Sequence, residues 1–310
     1  MRKSVLVIAL ACGISGAFAQ DLTSKKGEPI LPEAEDWAIS LNVDPIFNYV
    51  GNAFHGTAAT GAPGVSWLNN DYTIVGKKFI DEKSAYRALV RIGFTSGSTK
   101  AMIGDASVTT APVYPAAPAM VEDKMSVKNT NIAIGGGKEW RRGKTRLQGY
   151  YGVDGMLWLS STSTKYTYGN ALSASTTHPV GVTGSTTNFG NNVNTDAYGN
   201  ADRVTKDKSG MSFGIGVRGF IGAEYFIFPK IAIGAEYGWG IGFQTRAKGT
   251  NSVESLGAGT GGATVGAYDT KTSGSSKFGI DTDLNRGNLF GLNGSGSNTG
   301  TASLRATFHF

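Results

Sequence analysis

Apolar and polar residues alternate along several short stretches of this chain. In residues 85–96, Tyr86 and Phe94 share one face while Arg87 and Arg91 share the other. A period of two is typical of a β-strand that has one apolar and one polar face. The same period predicts eight strands, at residues 36–47, 71–80, 85–96, 126–140, 145–160, 211–228, 231–246 and 302–310.

The connections between these strands alternate in length. Three are hairpin-sized, near residues 81–84, 141–144 and 229–230. Four are long, at residues 48–70, 97–125, 161–210 and 247–301. In an antiparallel up-and-down arrangement all four long loops lie at the same end, which is the pattern of outer-membrane β-barrels.

These patterns predict an all-β fold, an antiparallel up-and-down transmembrane β-barrel over residues 36–310. After residue 19 the sequence has no apolar run long enough for a membrane-spanning helix, and a closed barrel is the other structure that satisfies its backbone in lipid. Eight strands are predicted; ten remain open, because residues 165–168 could add a hairpin. A soluble β-sandwich is the rival fold, but it does not require long loops at one end only.

The N-terminus has the three parts of a secretory signal peptide. Arg2 and Lys3 are its positive region, residues 5–11 are apolar, and residues 17–19 form an A-x-A site that predicts cleavage after Ala19. Residues 20–35 are then predicted to be a short periplasmic tail. Lipoprotein processing before Cys12 is the alternative. Cys12 is the only cysteine, so the mature chain is predicted to contain neither disulfides nor cysteine metal sites.

Charge argues against a nucleic-acid partner. The net charge of +6 is small, and the basic residues are not clustered in a stripe. The 45 glycines and the Ser/Thr/Gly/Asn-rich long loops instead favour loops that are functional or disordered.

The last strand, Leu304-Arg305-Ala306-Thr307-Phe308-His309-Phe310, alternates and ends in phenylalanine. With the signal peptide, the eight strands and the loop asymmetry, it resembles the small OmpA/OmpX-type barrels of the Gram-negative outer membrane. The resemblance implies recognition of Phe308 and Phe310 by the barrel-assembly machinery, and contact with outer-membrane lipid and lipopolysaccharide. It also implies extracellular loops and periplasmic termini. A peptidoglycan-binding domain does not follow the barrel, so tethering to the cell wall is not expected.

Two sets of strand residues are candidates for special roles. Charged residues on the polar face are predicted to pair inside the barrel, with a selectivity gate as the alternative; they are Asp44, Arg87, Arg91, Asp154, Arg218, Glu224, Glu236 and Arg305. Aromatic residues near the strand ends are predicted to lie at the membrane interfaces, with a ligand-binding cluster as the alternative; they are Trp37, Tyr86, Trp140, Tyr151, Trp158, Trp239, Phe308 and Phe310.

The sequence gives little support for catalysis or for a cofactor. His55, His178 and His309 are the only histidines, and no motif joins one of them to a nucleophile. Residues 281–287 have the first ligand spacing of a calcium loop, but Leu292 stands where that motif has glutamate. We therefore expect no cofactor and no metal site.

Three functions follow from these observations, in decreasing order of support. The first is non-enzymatic binding of a protein, glycan or lipopolysaccharide by the long loops. The second is a narrow porin-like channel for ions or small solutes. The third is an outer-membrane hydrolase.

Overall fold

The computed structural model of the chain describes residues 22–43, 74–108, 110, 112–172, 186–196, 199–259, 262–281 and 303–310. These residues form thirteen β-strands in one antiparallel sheet. None of the described residues is helical, so no helix that could cross a membrane occurs among them. The prediction of an all-β, antiparallel fold is confirmed. The signal peptide of residues 1–19 lies outside the described residues.

The strands follow one another along the chain without helices between them. Their bounds are β1 (Trp37–Asn42), β2 (Ile74–Asp81), β3 (Ser84–Gly104), β4 (Met120–Arg142), β5 (Leu147–Thr167), β6 (Val193–Thr195), β7 (Ala201–Lys208), β8 (Ser212–Phe228), β9 (Ile231–Arg246), β10 (Gly249–Gly259), β11 (Gly262–Thr272), β12 (Ser275–Asp281) and β13 (Ser303–His309).

Eight of these strands pair in a closed ring. Going around it, the order is β1, β2, β3, β4, β5, β8, β9 and β13, and β13 pairs with β1 through Ile39 and Phe308. They correspond to the eight strands that the alternation predicts. Because the first and last strands pair, none of the eight is left with an open edge along these ladders.

The two ends of the ring differ. At one end, which we call the turn end, residues 82–83, 143–146 and 229–230 join β2 to β3, β4 to β5 and β8 to β9. At the opposite end β3 and β4 are joined by residues 105–119, while β5–β8 and β9–β13 are joined through further strands. The loop predicted at residues 48–70 lies outside the described residues.

For three of the predicted loops the prediction is wrong over much of their length, because the residues form strands. Residues 97–125 include the ends of β3 and β4, residues 161–210 include the end of β5 with β6 and β7, and residues 247–301 include β10, β11 and β12. Most side chains of these strands are polar, and buried positions such as Asp123 and Arg203 are polar as well. The apolar alternation that reveals a half-buried strand is therefore missing from them. Their backbone groups are nevertheless paired with neighbouring strands.

The added strands extend the wall of the ring into what we call the projecting sheet. It consists of the ends of β3, β4 and β5 away from the turn end, followed by β7, β10 and β11. β5 pairs with β7 through residues 163–165 and 206–208, and β7 then pairs with β10. β12 continues the ladder on β9 beyond β13.

The N-terminal segment of residues 22–36 lies against the turn end. Ile30 is buried with Phe226 and Ala232 in one apolar cluster. The Lys230 N–H donates to the Ile30 carbonyl at 3.3 Å, and the Glu35 N–H donates to the Phe79 carbonyl at 3.1 Å. The described part of the segment predicted as a short tail is therefore folded onto this end of the ring.

Candidate functional site

In a water-soluble protein the buried face of a sheet is apolar and its exposed face is polar. In this ring the two faces are reversed, with the polar face buried and the apolar face exposed. Along β8, Arg218 and Glu224 are fully buried, whereas Ile215 and Ile221 are half exposed. The other long ring strands show the same inversion, with charged side chains facing inwards and apolar side chains facing outwards. The charged interior is the first candidate site.

The structure brings seven of the eight predicted interior charges to this inner face. Each is at most 8 % exposed: Arg87, Arg91, Asp154, Arg218, Glu224, Glu236 and Arg305. Asp44 lies outside the described residues. All but Arg91 contribute to the two linked clusters of ion pairs described next.

The cluster nearer the turn end is built on Glu139 and Glu224. Lys77 lies between them, with its Nζ 3.0 Å from a carboxylate oxygen of each. Arg141 also reaches both, with N–O distances of 3.0 Å to Glu139 and 2.7 Å to Glu224. The Thr307 hydroxyl adds a hydrogen bond to Glu224 at 3.1 Å. Two cations and two anions therefore neutralise one another here, as buried charges require.

The second cluster is built on Glu236 and Asp154. Arg218 contacts Glu236 at 2.7 Å and Asp154 at 3.5 Å, and Arg305 is 3.7 Å from Glu236. Arg87 joins the two clusters, because its Nη1 is 3.0 Å from Glu236 and 3.2 Å from Glu139. The linked side chains cross the interior and fill it at this level.

Three members of these clusters are absent from the predicted set: Lys77, Glu139 and Arg141. Lys77 and Lys78 are adjacent, and the period of two allows only one of them to face inwards, so the alternation does not decide between them. Lys78 faces outwards and pairs with Glu35 at 2.6 Å. For Glu139 and Arg141 a signal was available, since an outward Trp140 places both of its neighbours on the inner face.

Glycines make room for the large interior side chains. A Cβ on Gly238 would lie 2.2 Å from Nε of Arg218, and one on Gly222 would lie 2.3 Å from Cζ of Tyr150. Real Cβ atoms do not approach other atoms so closely, so the two side chains can lie flat against the wall only where the neighbouring strand has glycine. The glycine-rich composition of the inner face thus follows from filling a narrow ring.

The predicted interfacial aromatics share the outward face with one exception. Seven are exposed: Trp37, Tyr86, Trp140, Tyr151, Trp239, Phe308 and Phe310. Trp140 and Tyr151 are cross-strand partners whose ring centroids are 5.8 Å apart. The prediction for Trp158 is wrong, because Trp158 is 3 % exposed and faces inwards. Its side chain lies over Gly214, whose missing Cβ leaves the space that the indole occupies.

The projecting sheet has a polar core of its own, which is the second candidate site. The buried Asp123 carboxylate accepts from the Gly169 N–H at 2.8 Å and the Thr187 N–H at 2.7 Å. The buried Arg203 pairs with Glu254 and donates to the carbonyl of Asn170 at 2.8 Å. These contacts join segments that are far apart in sequence, so this region is a folded unit rather than a set of independent loops.

Tyr168 lies beneath Arg203 in this core, with the guanidinium carbon 4.3 Å from the ring centroid. Its hydroxyl donates to the Val204 carbonyl. Burial raises the pKa of the Tyr168 hydroxyl to about 12. The hydroxyl therefore keeps its proton, and its bond to the Val204 carbonyl, to higher pH than an exposed tyrosine would.

The residues considered for catalysis and metal binding are not assembled into a site in the described part of the chain. His309 is buried between the rings of Phe79 and Phe226, at centroid distances of 5.4 and 5.2 Å. His55 and His178 lie outside the described residues, as does most of the calcium-loop pattern at residues 281–287. Among the described residues no group of three or more acidic or histidine side chains is arranged to hold a metal ion.

Comparisons of the chain with protein-family models, with curated proteins and with solved structures gave no match.

Proposed function

We propose that the chain is a Gram-negative outer-membrane β-barrel protein whose interior is closed and whose projecting sheet binds a ligand at the cell surface. The observation that carries this proposal is the inversion of polarity around the ring, with charge inside and apolar side chains outside. In water such a continuous apolar exterior is strongly unfavourable, whereas lipid is the environment that it fits.

The height of the apolar exterior supports the membrane assignment. On β5 the outward residues are apolar or glycine from Leu147 to Leu159 and become polar at Ser161. At 3.3 Å per residue this stretch is about 40 Å long. With the strand tilt of about 40° usual in such barrels, it spans about 30 Å along the membrane normal, which matches a bilayer core.

The change to polar side chains occurs at paired residues of β4 and β5, Thr130 and Ser161. On β3 it occurs one outward position later, because Thr130 pairs with the exposed Phe94, and Ser96 follows on the same face. Beyond these positions lies the projecting sheet, while the turn end lies on the opposite side of the apolar band. Outer-membrane barrels have short turns in the periplasm, so the projecting sheet is assigned to the cell exterior.

The filled interior favours binding over conduction. An eight-stranded barrel is only wide enough to be filled by its own side chains. Here the two clusters of ion pairs cross it, and Ile30 is buried with Phe226 at the turn end. Function is therefore assigned to the projecting sheet, where a protein, a glycan or lipopolysaccharide are the classes of ligand.

Cysteine labelling tests the membrane assignment and the orientation together. Cys12, the only native cysteine, lies in the predicted signal peptide, so an introduced cysteine is the single label site. A membrane-impermeant maleimide should label Thr270→Cys, on exposed β11, in intact cells. The matched variant Lys144→Cys, at the turn end, should be labelled only after the outer membrane is permeabilised.

The result can contradict the proposal in two ways. Labelling of both variants or of neither in intact cells would overturn the orientation. Recovery of the mature protein in the aqueous fraction without detergent would overturn the membrane assignment itself.

A second variant tests the binding role. Replacing residues 162–209 and 248–273 by short turns removes β6, β7, β10, β11 and the last six residues of β5, but keeps the part of β5 that pairs with β8 and the other seven ring strands. We expect a ring that still inserts into the membrane and no longer supports attachment of the cells to their ligand. Attachment equal to that of the wild type would assign the function elsewhere.

A further inference from the structure

Four lysines lie together on the outward face of the projecting sheet. All are exposed, and we call them the lysine face: Lys128 on β4, Lys165 on β5, and Lys206 and Lys208 on β7. Lys165 pairs directly with Lys206, while Ser163 pairs with Lys128 on one side and with Lys208 on the other. Paired residues of neighbouring strands share a face of the sheet, as do residues two apart on one strand. The four ammonium groups therefore belong to one surface that crosses three strands.

The lysine face begins immediately beyond the apolar band. Lys128 is one outward position past Thr130, and Lys165 is two outward positions past Ser161. These offsets are about 7 and 13 Å along the strands, or about 5 and 10 Å along the membrane normal at a tilt of about 40°. In a bilayer whose hydrocarbon core matches the band, the headgroup region continues for about 5–8 Å. Lys128 then lies among the headgroups, and the long side chain of Lys165 can reach back to them.

Two of these lysines face each other across neighbouring strands. Lys165 and Lys206 are direct cross-strand partners, and the Cβ atoms of such partners are about 5 Å apart. Like charges in this position destabilise a sheet. The next residues of the same row, Ser126 and Ser252, are uncharged and fit the sheet equally well. The fold itself therefore does not explain why both positions carry a lysine.

Neighbouring carboxylates do not neutralise the lysine face. Asp207 lies between two of the lysines along β7 and therefore on the opposite face of the sheet. The carboxylates of Glu122 and Glu254 are already paired, with Lys100 and Arg203 respectively. Within the described part of the chain, no carboxylate lies at salt-bridge distance from any of the four lysines. Their charges are consequently available to anions from outside the chain.

We propose that the lysine face binds the phosphate groups of lipopolysaccharide in the outer leaflet of the outer membrane. The inference rests on the proposed function, because it requires the ring to span that membrane with the projecting sheet outside. Clusters of four or more basic residues beside a membrane-spanning segment attract anionic headgroups. A lysine ammonium binds a phosphate as a compact point charge, so the phosphates need no single fixed geometry.

Other occupants fit the lysine face less well. A second copy of the chain would bring two such faces together, and like charges across an interface disfavour that contact. A soluble phosphate or a nucleic acid would be attracted by the same charges, but neither is held at the edge of the apolar band. The phosphates of a membrane glycolipid are held at that height by the bilayer, which is the height at which the lysines lie.

Native mass spectrometry of the mature protein in detergent tests the proposal. Diphosphoryl lipid A, the phosphorylated membrane anchor of lipopolysaccharide, is titrated in, and monophosphoryl lipid A is the comparison probe. We expect the wild type to bind the diphosphoryl form more tightly, because two phosphates meet more of the lysines. Inorganic phosphate at the same concentration should displace neither lipid.

The lysine-face variant Lys128→Gln/Lys165→Gln/Lys206→Gln/Lys208→Gln removes the charges and keeps polar side chains. It should bind diphosphoryl lipid A about a hundredfold more weakly and lose the preference over the monophosphoryl form. In lipid-free detergent its urea midpoint should equal or exceed that of the wild type, because the repulsion between Lys165 and Lys206 is gone. A lower midpoint would contradict the argument that the fold does not need these lysines.

A matched control removes four exposed lysines near the turn end, in the variant Lys25→Gln/Lys26→Gln/Lys83→Gln/Lys144→Gln. Its net charge equals that of the lysine-face variant, and it should bind diphosphoryl lipid A like the wild type. If the lysine-face variant does not fold, the double variant Lys165→Gln/Lys206→Gln decides the matter, with an expected weakening of about tenfold.

Several outcomes would overturn the inference. Equal binding of diphosphoryl lipid A by the wild type and the lysine-face variant is one, and equal weakening in the lysine-face variant and the control is another. Displacement of lipid A by inorganic phosphate or by a duplex oligonucleotide at the same concentration would assign the lysine face to a soluble anion. If the protein still requires detergent and Thr270→Cys is labelled in intact cells, these outcomes overturn the inference alone. A protein that is soluble without detergent would overturn the proposed function as well.

Discussion

Arg87 and Glu236 meet across the full diameter of the ring. Arg87 is on β3 and Glu236 on β9, which are four strands apart in either direction around the ring. Two N–H groups of Arg87 donate to the two carboxylate oxygens, at 3.0 and 3.4 Å. Because side chains from opposite walls form a bidentate pair, the space between those walls is occupied at this level.

Neutralising Glu236 should therefore destabilise the protein strongly. Glu236→Gln keeps the shape of the side chain but leaves Arg87, Arg218 and Arg305 without their shared anion. Removing one partner of a buried pair lowers the free energy of unfolding by about 3–5 kcal/mol. Urea titrations followed by tryptophan fluorescence in detergent measure the change.

The exposed pair of Lys100 and Glu122, 3.0 Å apart, supplies the control. Glu122→Gln should lower the free energy of unfolding by less than about 1 kcal/mol, because solvent screens a surface pair. If Glu236→Gln and the wild type had the same free energy of unfolding, the ion pairs would occupy the interior without stabilising the fold.

The wild-type protein should be electrically silent in a planar lipid bilayer. The ion pairs cross the interior, and Ile30 is buried with Phe226 and Ala232 at the turn end. The preparation must first be shown to be folded, by a shift in electrophoretic mobility on heating. Discrete and reproducible conductance steps from the folded protein would contradict the closed interior and favour the channel hypothesis.

Much of the ring follows from the sequence because the two faces of its strands differ in polarity. Where apolar side chains cover one face and charges the other, as at Tyr86 and Arg87, each strand has a strong period of two. The prediction for β9 matches the structure at both ends, Ile231 and Arg246. The short turns follow from the same alternation, because the apolar period breaks at each of them.

The strands of the projecting sheet could not be predicted from alternation, and the reason is physical. Both faces of a strand such as β11, Gly262–Thr272, are solvated, so its side chains carry no alternation to detect. Its order comes from ladder hydrogen bonds and from polar contacts such as those of Arg203, which depend on residues distant in sequence. Trp158 is on the inward face of β5, as its even position along the strand indicates, although a tryptophan in a barrel strand is typical of the membrane interface.

Adding a methyl group at Gly222 should disturb the fold far more than adding one at Gly155. The new Cβ at Gly222 would lie 2.3 Å from Cζ of Tyr150 and 2.6 Å from the Ala235 carbonyl oxygen. At Gly155 the nearest atom is 3.8 Å away. Overpacking costs about 1–3 kcal/mol, so Gly222→Ala should lower the urea midpoint while Gly155→Ala should not.

Tyr150→Ala combined with Gly222→Ala tests the stated cause. Removing the ring relieves the closer of the two contacts, so the double variant should lose less stability than the two single changes added together. If the loss of stability in the double variant equals the sum of the losses in the two single variants, contact with Tyr150 is not the reason why Gly222→Ala is destabilising.

Arg203 should stabilise the projecting sheet without affecting the ring. Arg203→Met removes the pair with Glu254 and the hydrogen bonds to Thr186 and Asn170. We expect faster proteolysis between residues 162 and 275 and an unchanged mobility shift of the ring on heating. Lys206→Met, an exposed position on the same strand, is the control and should resist protease like the wild type. Loss of the mobility shift in Arg203→Met would show that the two units fold together.

The attachment of the N-terminal segment should weaken in acid. The Asp36 carboxylate is paired with Lys230 and accepts from the Glu33 N–H at 2.8 Å. Burial alone would raise the pKa of Asp36, but these hydrogen bonds outweigh it and hold the pKa below its ordinary value of 3.8. A group whose pKa is lower in the folded state stabilises that state above its unfolded pKa, and the contribution is lost as the pH falls. The stabilisation by Asp36 is thus complete at neutral pH and declines below about pH 3.8.

Thermal unfolding of wild type and Asp36→Asn between pH 3 and pH 7 measures this contribution. The amide keeps the size of the side chain and removes the titration, and all other groups titrate in both proteins. We expect a higher Tm for the wild type near pH 7 and a difference that becomes smaller as the pH falls below 3.8. If the difference in Tm between the two proteins stayed constant across this range, the charge of Asp36 would not stabilise the contact of the segment with the turn end.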